Sequence, residues 1–445
     1  MSDLARLARA VRGAAPLALL SCLSWPAAAS DGAPEAYEVS LLRAAIAIAC
    51  EAPEVEDIAE KAAGLPGFNG FYRQPLTVRL VGWRASFLVA GGTVTVERMA
   101  PGGRLGYVTA QLDGHGWRPQ LVASADLSCT IYAARKLVYG TDGAPLAIEH
   151  MDGLFGRTGR SDPVNPEVPH GRDPGGVPVA LVDTGVNYLL PEISERLARD
   201  VDDGLLGFDY WDLDRRPFDA DPVQSVFFPA RHGTGTASVL AREAPVVKLV
   251  PYRYPRPDMT RMTDLVADAA AKHIRVVNVS LADRDPANWR TFATAAERHP
   301  QMLFVVAAGN LSLDLDREPM YPAALDLANM ITVTSATADG RLHHSANWGR
   351  TTVDVMVPAQ ALLITDFDGG VRRASGSSYA AARVSALAAC LLAAHPEWAT
   401  EVLKRAILAR AIASADAARV AAGFLPDPVG VDRGACPGAS PGTGL

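Results

Sequence analysis

Between residues 178 and 333 the chain alternates strongly apolar runs with stretches of helical periodicity. Pro178-Val179-Ala180-Leu181-Val182, Val246 to Val250, Ile274 to Val279, Met302 to Ala307 and Met330 to Val333 are the apolar runs. Runs of that kind fit strands of a parallel sheet buried on both faces. Met262 to His273 and Asn288 to Arg298 lie between them and read as helices. The alternation predicts an α/β fold with a doubly wound, mostly parallel sheet. Tyr379 to Ala394 is Ala-rich and apolar nearly all round, which predicts a central buried helix.

The first third of the chain has a different rhythm. Glu35 to Ala63 repeats its Leu, Ile and Ala residues near the helical period. Leu76 to Val81, Thr93 to Val96, Leu105 to Leu112 and Leu127 to Val138 read as strands, with Gly91-Gly92 as a turn. This predicts a smaller α+β domain over 30–150, without a catalytic motif. Residues 151–176 are rich in Gly and Pro, as a solvent-exposed linker would be. The main domain is then expected over 177–415, followed by a loose Gly/Pro-rich tail over 416–445.

Composition narrows the class. With 445 residues, roughly half of them hydrophobic and a fifth charged, the chain has the make-up of an ordinary globular protein. Its net charge of −7 argues against nucleic acid as a partner. Residues 1–29 carry Arg6, Arg9 and Arg12, then an apolar stretch from Ala14 to Leu23, then Ala27-Ala28-Ala29. That is the pattern of an export signal, so the expected location is periplasmic or extracellular. Lipoprotein anchoring at Cys22 is a minor alternative. The apolar stretch falls short of the roughly 18 to 20 residues needed to span a bilayer.

Beyond residue 29 stand Cys50, Cys129, Cys390 and Cys436. An even count in an exported chain is compatible with two disulfides, and the economical pairing is Cys50 with Cys129 and Cys390 with Cys436. Cys390 also reads as a simple buried helical thiol. Asp202, Asp203, Asp212, Asp214 and Asp219 read as a solvated acidic loop, with structural calcium as the other reading. The chemistry described next requires no cofactor.

Three separated segments supply the groups for attack by a serine. They are Val182-Asp183-Thr184-Gly185, His232-Gly233-Thr234-Gly235-Thr236-Ala237-Ser238 and Ser375-Gly376-Ser377-Ser378-Tyr379-Ala380-Ala381. A serine hydroxyl needs a base to take its proton, and the base must be oriented in one tautomer. Asp183 ends an apolar strand, where open α/β sheets bind ligands. Ala307-Ala308-Gly309-Asn310 adds an amide side chain that can hold an oxyanion.

These segments resemble those of the subtilisin-like serine peptidases, in the same Asp, His, Ser order, over about Gly176 to Ala411. Val277-Asn278-Val279-Ser280-Leu281, Tyr321-Pro322-Ala323-Ala324 and Ala346-Asn347-Trp348-Gly349 extend the likeness. The resemblance implies that Asp183 orients, that His232 is general base and then acid, and that Ser378 attacks the carbonyl. It further implies that Asn310 and the Ser378 N–H bind the oxyanion. Ser280, Leu281 and Ala282, with Ala307, Ala308 and Gly309, would flank the substrate side chain. The family's usual Gly-Thr-Ser-Met-Ala-Ala-Pro-His reads here Gly376-Ser377-Ser378-Tyr379-Ala380-Ala381-Ala382-Arg383. Tyr379 and Arg383 are therefore expected to alter packing or substrate preference.

The implied function is a secreted serine endopeptidase acting on proteins or peptides through an acyl-enzyme. A catalytically inactive binding or export-related protein on the same fold is the alternative. An aspartic peptidase would need a second Asp-Thr-Gly or Asp-Ser-Gly, and the chain has none. The N-terminal domain is expected to serve as an intramolecular inhibitor or chaperone.

Overall fold

The computed structural model describes residues 34–429, apart from 35, 53–57, 59–60, 75–81, 102–103 and 255–257, together with Cys436. The export signal, Cys22 and the expected strand Leu76 to Val81 lie outside the described residues.

The N-terminal part opens with α1 (Ala36–Glu51) and continues as an antiparallel meander. Its strands are β1 (Gly70–Gln74), β2 (Gly82–Val89), β3 (Gly92–Met99), β4 (Tyr107–Gly114), β5 (Arg118–Ala125), β6 (Ile131–Tyr139), β7 (Pro145–Asp152) and β8 (Arg157–Pro163). They pair in sequence order. Helix α1 buries Leu41, Leu42, Ala45, Ile46 and Ala49 against Phe87, Val94, Val96, Val108 and Ala110 of one sheet face. Cys50 and Cys129 are joined by a disulfide from the helix end to the β5–β6 turn.

Two boundaries differ from the sequence reading. The run Leu127 to Val138 is not one strand, because Asp126 accepts from Ser128 and Thr130 N–H groups and closes a turn there. Nor is 151–176 a free linker. Its first half is the β7–β8 hairpin, and its second half is tied to the following domain. Pro166 O accepts from Tyr188 Oη at 2.5 Å, Pro169 O from Arg199 at 2.6 Å, and Asp173 accepts from Lys248 and Arg199 N. Gly and Pro set the extended path, and these contacts fix it.

The larger sheet is parallel throughout. Its strands are β9 (Val177–Asp183), β10 (Phe208–Asp209), β11 (Val247–Arg253), β12 (Val276–Val279), β13 (Leu303–Ala307), β14 (Met330–Ala336), β15 (Val355–Pro358) and, after the hairpin β16 (Leu362–Thr365) and β17 (Val371–Ala374), β18 (Gly423–Phe424). The spatial order is β10-β11-β9-β12-β13-β14-β15-β18. Side chains alternate between two cores, as strand geometry requires. Val179, Leu181, Leu303 and Val305 face α2 (Gly233–Glu243), α5 (Ser377–Ala394) and α6 (Thr400–Leu408). Ala180, Val182, Phe304 and Val306 face α3 (Met262–Ala271) and α4 (Arg290–Arg298). Helix α5 is long and apolar enough to cross a membrane by length and composition, and it lies buried in the centre of the domain.

The expected loose tail from 416 is partly structured. β18 pairs with β15, Phe424 and Leu425 are buried, and Cys436 is bonded to Cys390 in α5. Arg383 joins the same region. It is bound to both carboxylate oxygens of Glu243 at 2.8 Å, to Pro358 O at 2.9 Å and to Asp427 at 2.9 Å. It is thus a tie between α5, α2 and the C-terminal segment.

Candidate active site

Parallel pairing puts the ends of β9, β12 and β13 at one edge of the sheet. The loops that follow carry Asp183-Thr184, Ser280 to Ala282 and Ala308 to Asn310, so the chemistry converges at the carboxyl edge.

Asp183 is almost wholly buried, and both its oxygens face His232 Nδ1, at 2.7 and 2.8 Å. Its Oδ1 also accepts from Thr184 N at 2.8 Å. His232 directly precedes α2, whose first residue is Gly233 by necessity. A Cβ there would lie 1.9 Å from Gly185 O. Gly185 itself has φ +94°, which an L side chain rarely adopts.

Beneath this pair sits Asp219, fully buried, which the sequence reading placed only in an acidic loop. It accepts from Thr184 Oγ1 at 2.6 Å, His232 N at 3.2 Å, Thr234 N at 2.9 Å and Thr234 Oγ1 at 2.5 Å. Thr184 Oγ1 in turn accepts from His232 N at 3.0 Å and Gly233 N at 2.9 Å. Its one proton and two lone pairs are all engaged. Burial, and behind it the Asp183 charge, pushes the Asp219 carboxyl above its ordinary pKa against the pull of these donors. No spacing signal marked Asp219, thirteen residues before His232.

The other half of the site is built on β13 and α5. Asn310 is exposed, and its Oδ1 accepts from Ser377 N at 2.9 Å. Its amide nitrogen is then the donor end, and a Cβ on Gly376 would lie 3.3 Å from it. Ser377 Oγ accepts from Gly309 N at 3.0 Å, so strand end and helix start are joined twice. Buried Asn347 holds the Asn310 loop. It accepts from Leu311 N and Leu313 N and donates to Ala308 O at 2.8 Å. Ser378 is the second residue of α5, where backbone N–H groups have no partner inside the helix. Tyr379 connects the two halves, its ring centroid 5.9 Å from that of His232. Burial raises the pKa of its phenol above the ordinary value.

Of the residues expected along the cleft, Leu281, Ala307 and Ala308 have buried side chains within the cores. Ser280, Ala282 and Gly309 keep partial exposure. Ser280 N donates to Val182 O at 3.3 Å, which ties that loop to the Asp183 strand. Four of the five acidic residues considered for calcium, Asp203, Asp212, Asp214 and Asp219, engage protein groups. Arg199 and His170 contact Asp203, Arg253 contacts Asp212, and Arg216 and Asn165 contact Asp214. No group of three or more His, Cys, Asp or Glu among the described residues is arranged to hold a metal ion.

The subtilase family model matches residues 175–430, more than half of the sequence. The chain belongs to the subtilase family. It is 26% identical over 230 residues to a thermophilic serine proteinase of Bacillus sp. (strain AK1), covering 48% of this chain and 52% of that protein. It is 25% identical over 249 residues to a subtilisin of Bacillus sp. (strain TA39), covering 50% and 58%. This subtilase therefore spans a little over half the length of the curated relatives it matches. Among solved structures, a cold adapted subtilisin-like serine proteinase is 23% identical, with TM-score 0.48, covering 60% of this chain and 93% of that one.

Proposed function

We propose that this subtilase is an exported serine endopeptidase. The observation that carries the reading is the contact of both Asp183 oxygens with His232 Nδ1. A neutral His232 donates from Nδ1 to Asp183 and so carries its lone pair on Nε2. That nitrogen takes the Ser378 proton as the serine oxygen attacks a peptide carbonyl. The oxyanion accepts from the Asn310 amide and the Ser378 N–H, aided by the positive end of α5. His232 then gives the proton to the leaving amine, and water repeats the cycle on the acyl-enzyme. Protein or peptide substrates follow from family membership. Export is supported by the two disulfides and by the arginine-led apolar N-terminus.

The test is labelling with a fluorophosphonate, comparing the parent with Ser378→Ala. Labelling that requires Ser378 supports an activated serine. Absence of labelling in the parent overturns the reading and favours an inactive binding protein on this fold.

A further inference from the structure

The residues just before His232 form a loop pinched at its base. Asp221 N donates to Ala230 O at 2.8 Å, and Ala230 N to Asp221 O at 2.9 Å. The loop tip is Val226-Phe227-Phe228, an apolar triplet that a solvent-facing loop would not carry. Its middle residue does not face solvent, while Phe228 stays partly exposed. Phe227 is fully buried, in a cluster with Val122 of β5, Leu137 of β6 and Ile148 of β7. These three occupy the face of the N-terminal sheet opposite α1. Arg135 of β6 donates to Phe227 O at 2.7 Å, and its guanidinium covers the Phe228 ring at 4.1 Å.

The second anchor is adjacent to the histidine. Arg231 stacks over Phe367 at 3.3 Å and places Nη2 3.3 Å from Asp162 Oδ2 in β8. Asp162 also lies 3.1 Å from His150 Nε2 and 3.4 Å from Arg160 Nε. One side of His232 is thus set by Thr184 and Asp219, and the other by a loop docked on a separate sheet.

We propose that the N-terminal sheet is a permanent part of the active site, and that Phe227, Arg231, Arg135 and Asp162 are positioning residues for His232. An inhibitor or chaperone would have to leave to release activity. Departure of this sheet would expose Phe227, Val122, Leu137 and Ile148 and release the histidine loop. Cleavage within 164–176 would leave the Phe227, Arg135 and Arg231–Asp162 contacts in place, so the sheet would stay docked. The proposal rests on the serine-peptidase reading above.

The experiment uses the full chain. Intact mass of fluorophosphonate-labelled, active protein reports whether the sheet remains, and Phe227→Ala and Phe227→Leu report its effect. The expected results are a labelled species that retains β2–β8 and a kcat about tenfold lower in Phe227→Ala, since small misplacements of a catalytic group are costly. KM should change less than about threefold, the acidic limb of the pH–rate profile should move, and Phe227→Leu should recover most of kcat. Should Phe227→Ala lack a cooperative melt, Arg135→Gln reads the same contact, with a kcat about threefold lower at unchanged KM. An active species without the sheet overturns the proposal. So does a kcat within about twofold of the parent in the folded variant. A parent that never labels defeats the peptidase reading instead, which keeps the two failures distinct.

Discussion

Asp219→Ala tests the buried network under the Asp183–His232 pair. Four donors point at this carboxylate, and they do not lose equally when it goes. His232 N keeps Thr184 Oγ1 at 3.0 Å, and Thr184 Oγ1 has Asp183 Oδ1 at 3.4 Å as a weaker acceptor. Thr234 N loses its acceptor in a fully buried position. A buried N–H left unpaired costs about 1–3 kcal/mol, and the two hydroxyl bonds to a charged acceptor add about 1–2 kcal/mol together. Against this, the raised pKa of Asp219 shows that its charge is disfavoured by burial and by Asp183, which offsets part of the loss. The net expectation is a destabilisation of about 2–3 kcal/mol.

Asp219→Asn keeps one carbonyl oxygen for Thr234 N and should restore about half of the loss. The assay is urea unfolding with disulfides intact, comparing midpoints at unchanged slope. Peptidase turnover should fall alongside, because His232 N loses one of its two acceptors. A Phe or Leu core variant elsewhere would lower stability without that loss in kcat. An Asp219→Ala protein within about 0.5 kcal/mol of the parent would refute the argument. An Asn variant less stable than the Ala variant would refute it too.

Asn310→Ala should lower kcat by about 10²–10³ with little change in KM, the effect measured for the oxyanion asparagine of subtilisin itself. Steady-state kinetics on a peptide anilide check it. Burial alone would raise the pKa of Asp162, but the His150 hydrogen bond and the Arg231, His150 and Arg160 charges outweigh it and hold the carboxyl below its ordinary value. A depressed acid stabilises fully above its unfolded pKa of about 4 and loses that contribution as pH falls through the folded value. Hydrogen-exchange protection factors of β7 and β8 should therefore fall below about pH 4, and Asp162→Asn should remove that fall. Arg383→Ala should cost about 3–5 kcal/mol, because it leaves Glu243 largely buried without its partner, as thermal or urea unfolding would show. Substrate preference should be unchanged in that variant, since Arg383 acts in packing, the first of the two effects expected from sequence.

What could be read in the sequence was what repeats or what sits in a run. Buried parallel strands announce themselves because both faces are apolar, so β9, β11, β12, β13 and β14 were legible, and small-residue flanks marked the strand ends at Asp183 and Asn310 and the helix starts at His232 and Ser378. The meander was read poorly for the complementary reason. Its strands mix faces against α1, solvent and the histidine loop, so β7 carried no strand signal and β8 resembled a linker. Among the supports of the site only Asn347 lay in a recognisable segment. Asp219 and Phe227 act through contacts across 13 to 105 positions of chain, and a lone Asp or Phe in a loop has no period to detect. Phe227 shows the limit most clearly. Val226-Phe227-Phe228 is anomalous for a loop, yet only the opposite face of a second sheet, built from residues near 122, 137 and 148, explains why an apolar triplet precedes the histidine. The groups proposed to react are thus each marked by a local motif, while the forces that aim them are long-range. A variant that spares every motif residue can still displace His232.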